Sequence, residues 1–172
     1  MNKFLLAVHV LAAIVAVGPV TVAASMFPPS ARKALAEPGD AQALSTVRVL
    51  HRICRAYATV GVAVPVFGFA TAKNMGVLGD TWLIVSITLT ALAAVVLAAL
   101  VLPRQTALME GMEGMEVAVG VGGGGEGAAN PGASRVGRRA TARLAMFTGL
   151  FNLLWATVTI LMIVRPGSTT GA

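Results

Sequence analysis

Phe4 to Met26 reads FLLAVHVLAAIVAVGPVTVAASM, 23 residues with no formal charge and a single imidazole, His9. A bilayer core of about 30 Å is crossed by roughly 20 apolar residues at about 1.5 Å of helix each. The stretch is long enough to span. Because hydrocarbon offers no partner to backbone N–H and C=O groups, it must do so as a helix. Gly18 and Pro19 mark a kink within it.

Three more segments share this character. They are Ala56–Ala72 (AYATVGVAVPVFGFATA, short and containing Pro65), Trp82–Leu102 and Leu144–Val164. The composition agrees: 56% of the 172 residues are hydrophobic and 12% charged, against about 45–50% and about 25% in soluble domains. Mean hydropathy is +0.81. The expected fold is an all-α membrane protein, a single domain over 1–172, with four transmembrane helices in an antiparallel bundle. Spans are expected at about 4–26, 56–72, 82–102 and 144–164.

The net charge of +6 is distributed unevenly. Arg32, Lys33, Arg48, Arg52 and Arg55 lie between the first two spans, and Arg104, Arg135, Arg138, Arg139 and Arg143 between the last two. Only Lys3, Lys73 and Arg165 lie on the other side. Lys/Arg bias sets topology, so both longer loops are expected in the cytoplasm and both termini outside. The same bias accounts for the basic balance without a nucleic-acid partner. Thr21–Ser25 has the small residues of a signal-peptide cleavage site. Cleavage would place the basic 32–55 loop outside, so the first span is expected to be retained.

Phe27–Asp40, with Pro28, Pro29 and Pro38-Gly39, reads as a turn-rich exit from the first span. After it, Leu44, Val47, Leu50 and Cys54 recur at helical spacing within Ala41–Tyr57, with Arg48, Arg52 and Arg55 on the other side. That pattern predicts a basic amphipathic helix at the cytoplasmic interface, with these three arginines meeting anionic lipid headgroups. Lys73–Asp80 is so short a link that spans two and three are expected as an antiparallel hairpin. Residues 119–137 are glycine- and alanine-rich and read as a flexible cytoplasmic loop. Cys54 is the only cysteine, which excludes an intramolecular disulfide and a cysteine metal cluster.

Chemistry is expected in few places. An ionisable side chain inside a span is costly, which makes His9 a candidate haem or metal ligand, or a proton relay. Alternatively, His9 sits near the outer headgroups or bonds a neighbouring helix. His51, the other histidine, belongs to the basic helix and is expected half a bilayer or more from His9, too far for both to ligate one haem. Leu108–Val117, LMEGMEGMEV, repeats Met109, Met112 and Met115 every third residue, each followed by a glutamate. Thioethers suit Cu(I); the plainer expectation is a short juxtamembrane helix. Asn152 and the span hydroxyls Ser86, Thr88, Thr90, Thr148, Thr157 and Thr159 are expected to hydrogen-bond between helices or to their own backbone. Gly61, Ala63 and Gly68 would permit close packing around span two. No acidic residue lies within a span, and no Walker loop, HExxH, GxSxG or CxxC occurs.

Three stretches carry a resemblance: HVLAAIVAVGPV from His9, RAYATVGVAVPVFGFATA from Arg55, and WATVTILMIVRPG from Trp155. In these the chain resembles the bacterial integral-membrane family of domain of unknown function 2269. A more distant similarity, in the first-helix histidine alone, is to copper-resistance D-type proteins and haem-binding protoporphyrinogen oxidases of membranes. That similarity implies His9 as a ligand for haem b or copper. It does not extend to the charged and aromatic span residues of the oxidases. The expected function is a non-enzymatic scaffold or accessory subunit of the bacterial plasma membrane, acting as a homo-oligomer or in a larger complex. The alternative is a haem- or copper-binding redox or transport component using His9.

Overall fold

A computed structural model describes residues 2–121 and 131–167 of the chain. They form helices α1 (Asn2–Ala36), α2 (Ala41–Val60), α3 (Ala63–Met75), α4 (Thr81–Val95), a six-residue π-helical turn (Val96–Val101), α5 (Leu102–Val121) and α6 (Pro131–Val164). No strand occurs among the described residues. α2 with α3, and α4 with α5, act as continuous rods, giving four helices long and apolar enough to cross a membrane. Leu11, Ile14, Val66, Ile84, Leu153 and Ile163 lie exposed on their outer faces. A soluble monomer rarely exposes such continuous apolar surface, so these faces meet lipid in a multi-pass membrane protein.

The prolines correct the expected first loop. α1 does not end at Pro28-Pro29 but runs on to Ala36. An internal proline forfeits a hydrogen bond and strains the preceding turn, at about 3 kcal/mol. The packing compensates: Ala24, Phe27, Pro28 and Ala31, at three- and four-residue spacing, are completely buried in the bundle. The turn comes at Glu37–Gly39. Gly39 takes φ +101° there, and the Asp40 carboxylate accepts from Gln42 N and Ala43 N at 2.9 and 3.0 Å to start α2.

α2 also departs from expectation. Its apolar stripe (Ala43, Leu44, Val47, Leu50, Cys54) is buried in the main core rather than laid on a membrane surface. Leu44, Val47, Leu50 and Cys54 were the residues legible in the sequence; their partners, α1 and α5, were not. Gly61 and Val62 interrupt the rod between α2 and α3 yet keep right-handed helical dihedrals, so its direction persists. Pro65 cannot donate to Gly61 O. Val64 N supplies that bond at 3.1 Å, which places the break just ahead of Pro65.

Spans two and three are not a packed hairpin. Gly76 (φ +72°) closes α3 with a Schellman turn, Val77 N donating to Ala72 O and Gly76 N to Lys73 O. At that turn Ala72 meets Trp82 and Leu83. Beyond it the two helices part: α3 packs on α1, α4 packs on α6, and α1 and α6 pack together between them. Small residues on α1 allow the close approach, and in lipid close packing substitutes for a hydrophobic driving force.

Where α4 meets α5, Pro103 would press its ring on the carbonyl four residues back. The chain widens there into the Val96–Val101 π turn. Arg104 Nη1 donates to Leu100 O at 2.9 Å, covering a carbonyl of the disturbed turn. The helices also run further than the expected loops allowed, α5 to Val121 and α6 from Pro131. The remaining glycine-rich residues 122–130 lie outside the described residues.

Candidate functional site

His9 is half-buried between α1 and α3. Its Nδ1 lies 3.0 Å from Val64 O. A carbonyl only accepts, so Nδ1 carries the proton in this contact, and Nε2 of a neutral ring keeps its lone pair. That is the tautomer in which histidines ligate metals, the second nitrogen being fixed by a backbone carbonyl. The ring lies against Gly68, where an added Cβ would stand 2.8 Å from Cε1. His9 therefore bonds a neighbouring helix, one of the two arrangements anticipated for it.

His51 lies elsewhere. Its ring meets Phe27 edge-on at 6.4 Å between centroids. Phe27 and His9 are 18 residues apart on α1, about 27 Å of helix. The two histidines cannot share one haem within a chain. Among the described residues no three His, Cys, Asp or Glu side chains cluster to hold a metal ion. At His9 the chain supplies one donor, which fits an axial haem ligand or half of a site shared between copies; it does not make a closed copper or zinc site.

Gln105 is the residue the sequence reading missed. It is completely buried. Its Oε1 accepts from His51 Nδ1 at 3.2 Å, and its Nε2 faces Cys54 Sγ at 3.6 Å. The clue was a lone glutamine just past Pro103, with His51 and Cys54 three residues apart on an amphipathic stripe. In the bundle core an unpaired amide would cost about 1–3 kcal/mol, so the network fixes α5 against α2.

The Met–Glu repeat serves the same pairing. Met109 and Met112 are buried in the main core. Glu113 and Glu116 hold Arg48 at 3.0 and 3.1 Å. A three-residue repeat drifts around a 3.6-residue helix, and Met115 has already turned partly outward. The sulfurs are packing atoms here. In the spans, Ser86, Thr88, Thr90, Thr157 and Thr159 bond backbone carbonyls four residues back, as anticipated. Asn152 Nδ2 donates to Ser25 Oγ at 3.0 Å, tying α6 to α1. Asn152 Oδ1 and the Thr148 hydroxyl, one turn apart, are buried without a partner among the described residues.

No family model, curated protein or solved structure matches this chain.

Proposed function

We propose that the chain is a non-enzymatic scaffold or accessory subunit of a bacterial plasma membrane, with both termini outside and the basic end of the bundle in the cytoplasm. One observation carries the reading. His9, His51, Gln105, Glu113, Glu116 and Asn152 each make a bond that joins one helix to another. Polar side chains engaged in this way act as glue between helices. The ten-to-three basic asymmetry supports the orientation.

A second reading rests on a single geometry, the His9 Nδ1–H donated to Val64 O with Nε2 left as a lone-pair donor. On that reading the chain binds haem b, or shares copper between copies, through His9. A dithionite-reduced minus oxidised spectrum, with metal analysis, separates the two. The protein is purified in detergent from cells supplemented with a haem precursor and copper. The scaffold reading expects a flat spectrum and no stoichiometric metal. A b-type band or bound copper that disappears in His9→Ala would replace it with the second reading.

A further inference from the structure

Beside the Arg48 clamp an open groove of about 490 Å³ runs between α2 and α5. Arg48, His51, Arg52, Arg55 and Thr59 line it from α2, facing Met109 and Glu113 of α5. The three arginines are not equivalent. Arg48 is held by Glu113 and Glu116, whereas Arg52 and Arg55 are exposed and make no ion pair among the described residues.

The helix face continues past the groove. At spacings of three and four residues, Arg48, Arg52, Arg55 and Thr59 are followed by Val62, Val66 and Phe69. The last three are 61%, 60% and 56% exposed. One face thus passes from cationic to hydroxyl to hydrocarbon along the span. The depth is right for a headgroup. From Gln105, level with His51, to Trp82 at the other end is 23 residues, about 34 Å of helix, and a bilayer core measures about 30 Å. Arg52 and Arg55 therefore sit where the hydrocarbon begins. A ligand matching this surface carries a negative charge at the interface and alkyl chains pointing inward.

We propose that this groove binds the phosphate headgroup of an anionic phospholipid, with Arg52 and Arg55 as its cationic contacts and the acyl chains along Val62, Val66 and Phe69. Arg48, expected from the sequence to share the role, is instead neutralised by its two glutamates. The proposal rests on the membrane-spanning reading and is independent of any role for His9.

The test titrates the full chain in detergent with phosphatidylglycerol and with phosphatidylcholine of matched chains, read by native mass spectrometry. Phosphatidylglycerol is expected to bind in preference. The Arg52→Gln/Arg55→Gln variant is expected to lose about thirtyfold in its affinity. Arg32→Gln/Lys33→Gln, exposed cations away from the groove, should leave binding unchanged. Glu113→Gln removes a carboxylate from the groove and is expected to tighten binding about fivefold, a gain that misfolding cannot imitate. Equal binding of the two lipids would overturn the proposal, as would an unchanged affinity in either the double-arginine or the Glu113 variant. Complete displacement by excess inorganic phosphate would also overturn it, making the groove a site for the free anion.

Discussion

At Gly68 the absence of a side chain is what admits the His9 ring, since a Cβ there would stand 2.8 Å from Cε1 and 3.2 Å from Nδ1. The two residues make one contact, held by Nδ1 on Val64 O. Gly68→Ala should therefore cost about 1–3 kcal/mol by overpacking in the native background. In a His9→Ala background the ring is gone and most of that cost should vanish, because contacting residues are not additive. Thermal unfolding of the four proteins in detergent measures this cycle. An equal penalty in both backgrounds would show that the ring does not fill the space over Gly68. The sequence singled out His9 because an imidazole in hydrocarbon is conspicuous, and marked Gly68 as a small residue. It could not join them: fifty-nine positions separate the pair, and only the α1–α3 approach brings them together. Gln105 drew no notice because its partners, His51 and Cys54, lie on another helix more than fifty positions away.

Among the elements, α2 was the most legible in the sequence. Leu44, Val47, Leu50 and Cys54 repeat at helical spacing, and all four are buried. What covers them was not legible, because an apolar stripe fits lipid or protein equally well. The Met–Glu repeat and the Pro28-Pro29 pair were read as local features for the same reason. Their roles, core packing with an arginine clamp for the repeat and a helix interior with Pro28 buried for the pair, depend on neighbours. The relative worth of these contacts can be measured. The Arg48–Glu113 pair is nearly half-exposed on both sides, so Arg48→Ala should cost at most about 1 kcal/mol. Leu144, 0% exposed in the main core, should cost roughly 2–5 kcal/mol when cut to alanine. Chemical or thermal unfolding with the order reversed would mean that the clamp, rather than the packing, holds the loop end together.

Over the whole molecule, packing and charge coincide. The large core, from Phe27 and Leu44 through Met112 to Leu154, lies toward the basic end. Among the described residues the opposite end has the small cluster of Ala72, Trp82 and Leu83, with Arg165 stacked 5.7 Å over Trp82 and the Trp82 indole donating to Asp80. An aromatic at that level suits a membrane–water interface. The proposed orientation makes a prediction for thiol labelling in intact cells. A cysteine at Gly79 should react with an impermeant maleimide from outside, and one at Glu37 only after permeabilisation. The native Cys54 should resist in both cases because it is fully buried. The opposite pattern would invert the topology.

The sequence by itself determined that four segments are helical and apolar enough to span, that one end of the bundle is basic, and that few ionisable groups enter it. These properties follow from transfer free energy and backbone hydrogen bonding, which each segment settles alone. The tertiary structure decided which helices touch. Through that it decided that α3 leaves α4 for α1, that Pro28 and Pro29 sit inside a helix, that Gln105 bridges His51 and Cys54, and that Arg48 is spent while Arg52 and Arg55 line an open groove. A side chain's partner is a property of two surfaces, and a linear pattern specifies only one of them.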